Sequence, residues 1–330
     1  MKKRVCISGC GGIAQVHAKV LSELPDVEIT ACADPVTEKA AALAEKYGCR
    51  SYSSTEEMLD REMPDAVHLC TPHYLHTPHA LYAAERGIAV FSEKPPVISP
   101  EQLEQLKKAA EKVPVSVCFQ NRTNPSVRFI RKALEESSFG RLLGLRAFVT
   151  WSRGGAYYEN NWRGSFSTEG GGALINQAIH TLDLAVYLLG MPDITEAAMA
   201  NRHLRGVIET EDTAEIYLKK GDVPALLYVS TAACADAPVL FEVTCEKAVL
   251  RAENDRVDII RPEGTESMKL PEDERLGKSY WGAGHKACIS NFYECLKNGT
   301  EAPSSLRLCE NTLRVMLNIY SRCRDSLPAK

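Results

Sequence analysis

The run Gly9-Cys10-Gly11-Gly12-Ile13-Ala14 constrains this chain more than any other feature. It follows a short apolar run at 5–8 and opens a segment, 13–24, in which apolar residues recur at helical spacing until Pro25. A strand, a glycine turn and a helix in that order give the G-x-G-x-x-G/A pattern its meaning. Gly9 permits the tight turn, Gly11 lets backbone approach a pyrophosphate and Ala14 allows close helix packing, while the open N–H groups at the helix start favour an anion. Gly12 and Ile13 complete the loop. Asp34 ends a second strand-like run, 27–33, and stands 25 residues after Gly9, where a ribose-binding carboxylate belongs. Pro35-Val36-Thr37 follows it rather than an arginine, so a 2′-phosphate would meet an unbalanced negative charge. The expected cofactor is therefore NAD, with NADP disfavoured.

The alternation continues with a helix over 37–47 stopped by Gly48, a strand at 66–70 before Thr71-Pro72, and a helix over 75–86 ending at Gly87. A strand at 88–92, a helix over 100–112 and a strand at 113–119 follow. Repeated strand–helix units specify a parallel, doubly wound sheet. After Gln120 the pattern changes to a helix over 126–137, a strand over 143–151, a glycine- and aromatic-rich loop to 172 and a helix over 173–189. Short strand-like runs then dominate from 194 to 260, a polar loop is expected over 263–282, and helices over 285–296 and 305–324 close the chain. The fold class is α/β: an N-terminal Rossmann domain over 1–121, then an α/β domain over 122–330 with a mostly antiparallel sheet.

Composition excludes several alternatives. With 330 residues and 45% hydrophobic content, each domain can bury a core, and a net charge of −4 gives no global footprint for nucleic acid or an anionic membrane. Twelve cysteines without a Cys-x-x-Cys pair read as reduced thiols, which points to the cytoplasm. Ile7-Ser8-Gly9-Cys10 imitates a lipoprotein cleavage box, but the apolar stretch before it is too short for a signal core. No run of 18 apolar residues suggests a membrane span. His73, His76 and His79, interrupted by Pro72 and Pro78, fit a loop-to-helix junction better than a metal site, so no metal is expected.

Two further motifs carry chemistry. Glu93-Lys94-Pro95-Pro96 follows a strand at its carboxyl end, where ligands sit in open α/β sheets; Lys94 is either a catalytic cation or a surface lysine in a proline loop. In the stretch from Gly170 to Asp183, the residues Asn176, His180 and Asp183 fall at i, i+4 and i+7, on one face of an otherwise apolar helix. His180 there is either a buried histidine held by Asp183 or a general acid/base with a polar orienter. The triple glycine before it suits backbone that must pass close to a ligand. The loop from Trp151 to Arg163 holds Tyr157, Tyr158, Asn160, Asn161, Trp162 and Arg163, able to stack on and hydrogen-bond a pyranose ring, and Arg122 can pair with a substrate carboxylate or phosphate.

Together the glycine fingerprint, Thr71-Pro72, Glu93-Lys94-Pro95 and the GGG-x-x-x-N-Q-x-x-H-x-x-D stretch resemble the Gfo/Idh/MocA oxidoreductases, over essentially the whole chain. The resemblance implies sugar or cyclitol substrates and a second domain whose open sheet often mediates dimers or tetramers. It implies catalytic roles for Lys94 and His180, with Asn176 standing where many members carry aspartate and so able only to orient the histidine. The expected cofactor contacts are Gly9, Gly11, Gly12, Ile13, Ala14, Asp34, Thr71, Pro72, His76, Glu93, Lys94, Trp162 and Arg163. The expected substrate contacts are Lys94, Asn121, Arg122, Tyr157, Tyr158, Asn176 and His180. The implied activity is NAD-dependent oxidation of a secondary sugar hydroxyl to a ketone. The alternatives are an enzyme that recycles tightly bound NAD and a catalytically silent NAD-sensing regulator.

Overall fold

The structure, a computed structural model, describes residues 2–159, 162–253, 255–271, 274, 276, 282–324 and 327. It comprises two compact units, Met1–Gln120 with Arg275–Glu310, and Asn121–Glu274 with Asn311–Lys330. The helices among the described residues are α1 (Gly12–Glu23), α2 (Thr37–Tyr47), α3 (Thr55–Glu62), α4 (His73–Ala84), α5 (Pro100–Ala110), α6 (Pro125–Glu135), α7 (Ile179–Leu189), α8 (Gly284–Asn298) and α9 (Leu306–Cys323).

In the first unit, β1 (Lys3–Ser8), β2 (Val27–Ala33), β3 (Arg50–Tyr52), β4 (Ala66–Leu69), β5 (Ala89–Ser92) and β6 (Val115–Val117) form a six-stranded sheet in the order β3-β2-β1-β4-β5-β6. Every neighbouring pair is parallel. Val5, Cys6 and Ile7 are wholly buried, which is why β1 reads as an unbroken apolar run rather than an alternating one. The order reverses between β1 and β4, and the loops after their carboxyl ends carry Gly9 and Thr71.

The sequence division placed everything after 121 in a second domain, but the chain returns to the first unit. The apolar side of α8 (Cys288, Ile289, Phe292 and Tyr293) joins Val5, Ile7, Val16, Leu21 and Phe91 in one core. Two elements of this unit carry little sequence signal: β3 is a three-residue edge strand with two of its three side chains exposed, and α3 is strongly polar. The start of α3 is fixed by Ser54, whose Oγ accepts the Glu57 N–H at 3.3 Å.

The second unit holds an eight-stranded sheet of β7 (Leu142–Thr150), β8 (Asp193–Ala200), β9 (Thr213–Lys220), β10 (Val223–Ser230), β11 (Leu240–Cys245), β12 (Val249–Glu253), β13 (Arg256–Arg261) and β14 (Gly264–Lys269). Its order is β14-β13-β12-β11-β7-β10-β9-β8, antiparallel except for the β7–β10 pair. The strand β14 occupies part of the expected polar loop; pairing with β13 orders it although most of its side chains stay exposed. Alternation along the strands buries Leu145, Ala147, Val149, Ile216, Leu218, Leu227 and Val229 on one face. On the other, Phe148 meets Tyr228 edge to face at 6.2 Å and Tyr217 is 45% exposed. The expected helix over 173–189 is two elements: a π-helical turn, Ala173–Ala178, and then α7.

Candidate functional site

The first unit gathers its candidate residues at the carboxyl ends of β1, β2, β4 and β5. Gly9 has φ +84, and a Cβ there would lie 2.6 Å from the Cys70 carbonyl oxygen, so only glycine lets the β1 loop pass the end of β4. Asp34 braces the loop: its Oδ2 accepts the Cys10 N–H at 2.8 Å and its Oδ1 the Val36 N–H at 2.9 Å. Each oxygen keeps a second lone pair for a ribose hydroxyl. Above Gly11 and Gly12 an added Cβ would meet nothing within 4 Å, and α1 has no side-chain cap at Gly11. Ala14 is wholly buried and Ile13 half-buried. Open space before uncapped helix N–H groups is a cradle that a dinucleotide pyrophosphate fits.

Thr71 and Pro72 follow β4, and Glu93 and Lys94 follow β5, with a cis peptide bond between Lys94 and Pro95. His76, expected to touch the cofactor, is instead a buried staple. Its Nδ1 lies 2.7 Å from the Pro95 carbonyl and its Nε2 2.7 Å from that of Thr71. Burial pushes its pKa down, although both carbonyls favour the proton. Glu93 faces inward, 7% exposed, while Lys94 is half-buried. One grouping has no local signature in the sequence: His17, Glu93 and Cys118 each bring a ligand-type atom within 4.8 Å of the others.

In the second unit, Gly171 and Gly172 of the triple glycine pass close to protein. A Cβ on Gly171 would lie 2.1 Å from the Tyr320 hydroxyl, and one on Gly172 would lie 2.1 Å from the Glu211 carbonyl. The buried Glu211 carboxylate accepts the Gly172 and Leu174 N–H groups at 2.9 Å and the Tyr320 hydroxyl at 2.7 Å, anchoring the start of the π-helical turn. Burial raises its pKa to about 7 against the pull of those bonds.

The polar face expected of Asn176, His180 and Asp183 is divided. Asn176 donates to Glu169 Oε1 at 2.5 Å, and Glu169 also accepts the Gly164 N–H at 2.6 Å. Burial raises the Glu169 pKa to about 7. Asp183 is fully buried, takes Arg122 through Nε at 2.8 Å and Nη2 at 2.5 Å, and accepts the Thr312 hydroxyl at 2.7 Å. Arg122, expected to meet a substrate anion, is thus an internal partner of Asp183. His180, half-buried, stands in the first turn of α7. The π-helical turn, with i→i+5 bonding, shifts the phase of Asn176 relative to the α7 residues His180 and Asp183, whose own spacing it leaves unchanged.

Around the 151–163 loop, aromatic rings and guanidinium groups alternate. Arg153 lies 5.2 Å from the Trp151 ring centroid and 5.6 Å from that of Tyr157; Arg163 lies 4.7 Å from both Tyr157 and Trp162. The buried Arg163 Nε has no hydrogen-bond partner among the described residues, and neither has Asn121 Oδ1. Tyr157 accepts from Gln177 Nε2 at 3.1 Å, a contact the sequence reading missed. Tyr158 packs with Leu204 and Ile208, and burial raises its phenol pKa. It is a packing residue rather than an open surface for a sugar. Asn160 and Asn161 lie outside the described residues.

Comparison with known proteins identifies the family of both domains. Residues 3–120 match the oxidoreductase family NAD-binding Rossmann fold, and residues 127–251 match the GFO/IDH/MocA C-terminal domain. The chain is similar to D-glucoside 3-dehydrogenase of Escherichia coli K12, 34% identical over 198 residues, which cover 58% of this chain and 55% of that protein. It thus matches about half the length of that relative. It is also 26% identical to inositol 2-dehydrogenase of Rhizobium meliloti over 313 residues, 92% of each chain. Among solved structures, the WlbA dehydrogenase from Bordetella pertussis, in complex with NADH and UDP-GlcNAcA, superposes with a TM-score of 0.85 at 28% identity, covering 100% of both chains. From its glycine loop to its second sheet, this chain belongs to the GFO/IDH/MocA family of oxidoreductases, and its first unit is that family's NAD-binding Rossmann fold.

Proposed function

We propose that the protein is a dehydrogenase that oxidises a secondary hydroxyl of a sugar, cyclitol or sugar derivative to a ketone. The observation that carries this reading is the presence, in one unit, of an uncapped glycine cradle after β1 and of Lys94 after β5 on the same edge of the sheet. NAD+, when bound, accepts the hydride from the carbinol carbon. Gly11, Gly12 and the start of α1 hold its pyrophosphate, with Gly9, Ile13 and Ala14 shaping the loop, Asp34 on its ribose and Thr71-Pro72 at its border. Lys94 hydrogen-bonds the substrate oxygen and stabilises its developing negative charge, and His180 takes the hydroxyl proton. Asn121, Tyr157 and Asn176 supply polar contacts to the substrate, while Trp162 and Arg163 offer a stacked cation to an anionic group of the cofactor.

The test is NADH formation with NAD+ and a panel of inositols, aldoses, glucosides, sugar acids and nucleotide sugars, beside a denatured sample assayed for released cofactor. Turnover with one class supports the dehydrogenase; stoichiometric NAD release without turnover replaces it with internal redox recycling.

Asp34 also sets cofactor choice. NADP+ binds at least about tenfold more weakly than NAD+ in calorimetry, because its phosphate meets a carboxylate already fixed by two N–H bonds. Equal affinities would refute that preference.

A homodimer or homotetramer through the second sheet is part of the same reading, supported by the partly exposed Phe148, Tyr217, Leu226 and Tyr228 on one face. Tyr228→Glu lowers the molar mass in light scattering to that of a smaller assembly. An unchanged mass removes this face from the interface.

A further inference from the structure

The carboxylate beside Lys94 ends a buried chain of hydrogen bonds. The Tyr293 hydroxyl on α8 lies 2.8 Å from His68 Nε2 on β4, and His68 Nδ1 lies 2.8 Å from His17 Nδ1 on α1. His17 Nε2 is 3.0 Å from Glu93 Oε1, and Glu93 Oε2 accepts the Lys94 backbone N–H at 3.3 Å. His17 and His68 are wholly buried. Burial alone would raise the Glu93 pKa, but the His17 hydrogen bond and the neighbouring charges hold it below the usual carboxylate range. The other groups facing Glu93 are His285 from α8, pushed down to about 4 by burial, Lys94 beside it, and the thiols of Cys118 after β6 and Cys70 after β4.

Only one proton fits between the facing nitrogens of His17 and His68, so the chain has a direction. If His68 donates, its Nε2 accepts the Tyr293 O–H, and His17, accepting at Nδ1, donates from Nε2 to an ionised Glu93. Every atom is then satisfied. In the reverse direction Glu93 must carry a proton to meet His17 Nε2, and Tyr293 accepts from His68. The tyrosine proton then has no other acceptor among the described residues, a costly state for a buried hydroxyl.

We propose that Tyr293, His68 and His17 are positioning residues: they fix one direction of proton donation and so hold the Glu93 carboxylate ionised against the Lys94 amide, which orients Lys94. This deepens the reading of Lys94 as the group that holds the substrate oxygen, and it rests on that reading. The arrangement joins three elements far apart in sequence to a single peptide group at the sheet edge.

Three variants of the full chain test it. Tyr293→Phe removes the donor that sets the direction, and His68→Leu cuts the chain. In His68→Gln a carboxamide still accepts from Tyr293 and donates to His17. Nitrogen spectra of histidine-labelled protein report the tautomers, and kcat and KM are measured across pH with the panel sugar giving the highest rate. In the unaltered protein the proton sits on His17 Nε2 and His68 Nδ1. Tyr293→Phe loses that order, and its kcat falls by up to about tenfold, the upper scale of one neutral hydrogen bond. Its KM holds, and the basic limb of its kcat profile moves to lower pH as the Lys94 ammonium loses a fixed anion. His68→Gln stays near the unaltered protein while His68→Leu does not. Unchanged tautomers and pH profile in Tyr293→Phe, or equal damage from both His68 variants, would reduce the chain to packing. If Tyr293→Phe is silent while Lys94→Ala is inactive, the chain fails and the lysine reading stands. Full turnover in Lys94→Ala overturns both.

Discussion

Lys94→Ala lowers kcat by about 10²–10³, the cost of removing one donor aimed at developing negative charge, while NAD+ affinity in calorimetry stays close to that of the unaltered protein. The two readouts separate because the pyrophosphate cradle is built from backbone at Gly11 and α1, not from the lysine. His180→Ala produces a loss of about 10²–10⁴, the range for a positioned general base, and part of the rate returns as pH rises and hydroxide replaces the imidazole. Near-normal kcat in either variant rejects the role assigned to that residue. A parallel loss of cofactor affinity in Lys94→Ala would instead make the lysine part of the cradle.

The second large effect is on stability. Asp183→Ala leaves the Arg122 guanidinium, 8% exposed at its side chain, without its bidentate partner and removes the acceptor of Thr312. Breaking such a buried pair from one side costs about 3–5 kcal/mol, which lowers Tm by roughly 10 °C in a unit of this size. The double variant Arg122→Met/Asp183→Leu, with no charge left uncompensated, recovers most of the loss. A shift below about 2 °C in Asp183→Ala would show that water reaches Arg122 and that the pair anchors nothing.

How far these features can be read from the sequence depends on the distance between the groups that make them. Four of the five β/α repeats and the glycine loop are local patterns, and the strands and helices of the first unit follow them; the exception is β3 and α3, where a three-residue, mostly exposed strand and a polar helix offer little periodicity. The return of α8 to the first unit is a packing event between apolar faces far apart along the chain, Phe292 against Phe91 for one, which no window detects. The same holds within the candidate site. Asp183 stands one turn from His180 on α7 and reads as its partner, yet its partners come from residues 122 and 312, far away along the chain. Glu169 and Glu211 become informative only once each is seen to be buried and bonded to the glycine segment or to Asn176. The acid directly before the triple glycine was the one available hint.

The π-helical turn at Ala173–Ala178 has the geometry of a helix that has taken in one extra residue. It therefore works as a phase adjuster between two neighbourhoods of one continuous rod. Upstream, position 176 reports to Glu169; downstream, position 183 is tied to Arg122 and Thr312. A substitution at 176 therefore acts on Glu169 and leaves the Arg122–Asp183–Thr312 anchor of α7 untouched, so the two ends of one helix are tuned separately.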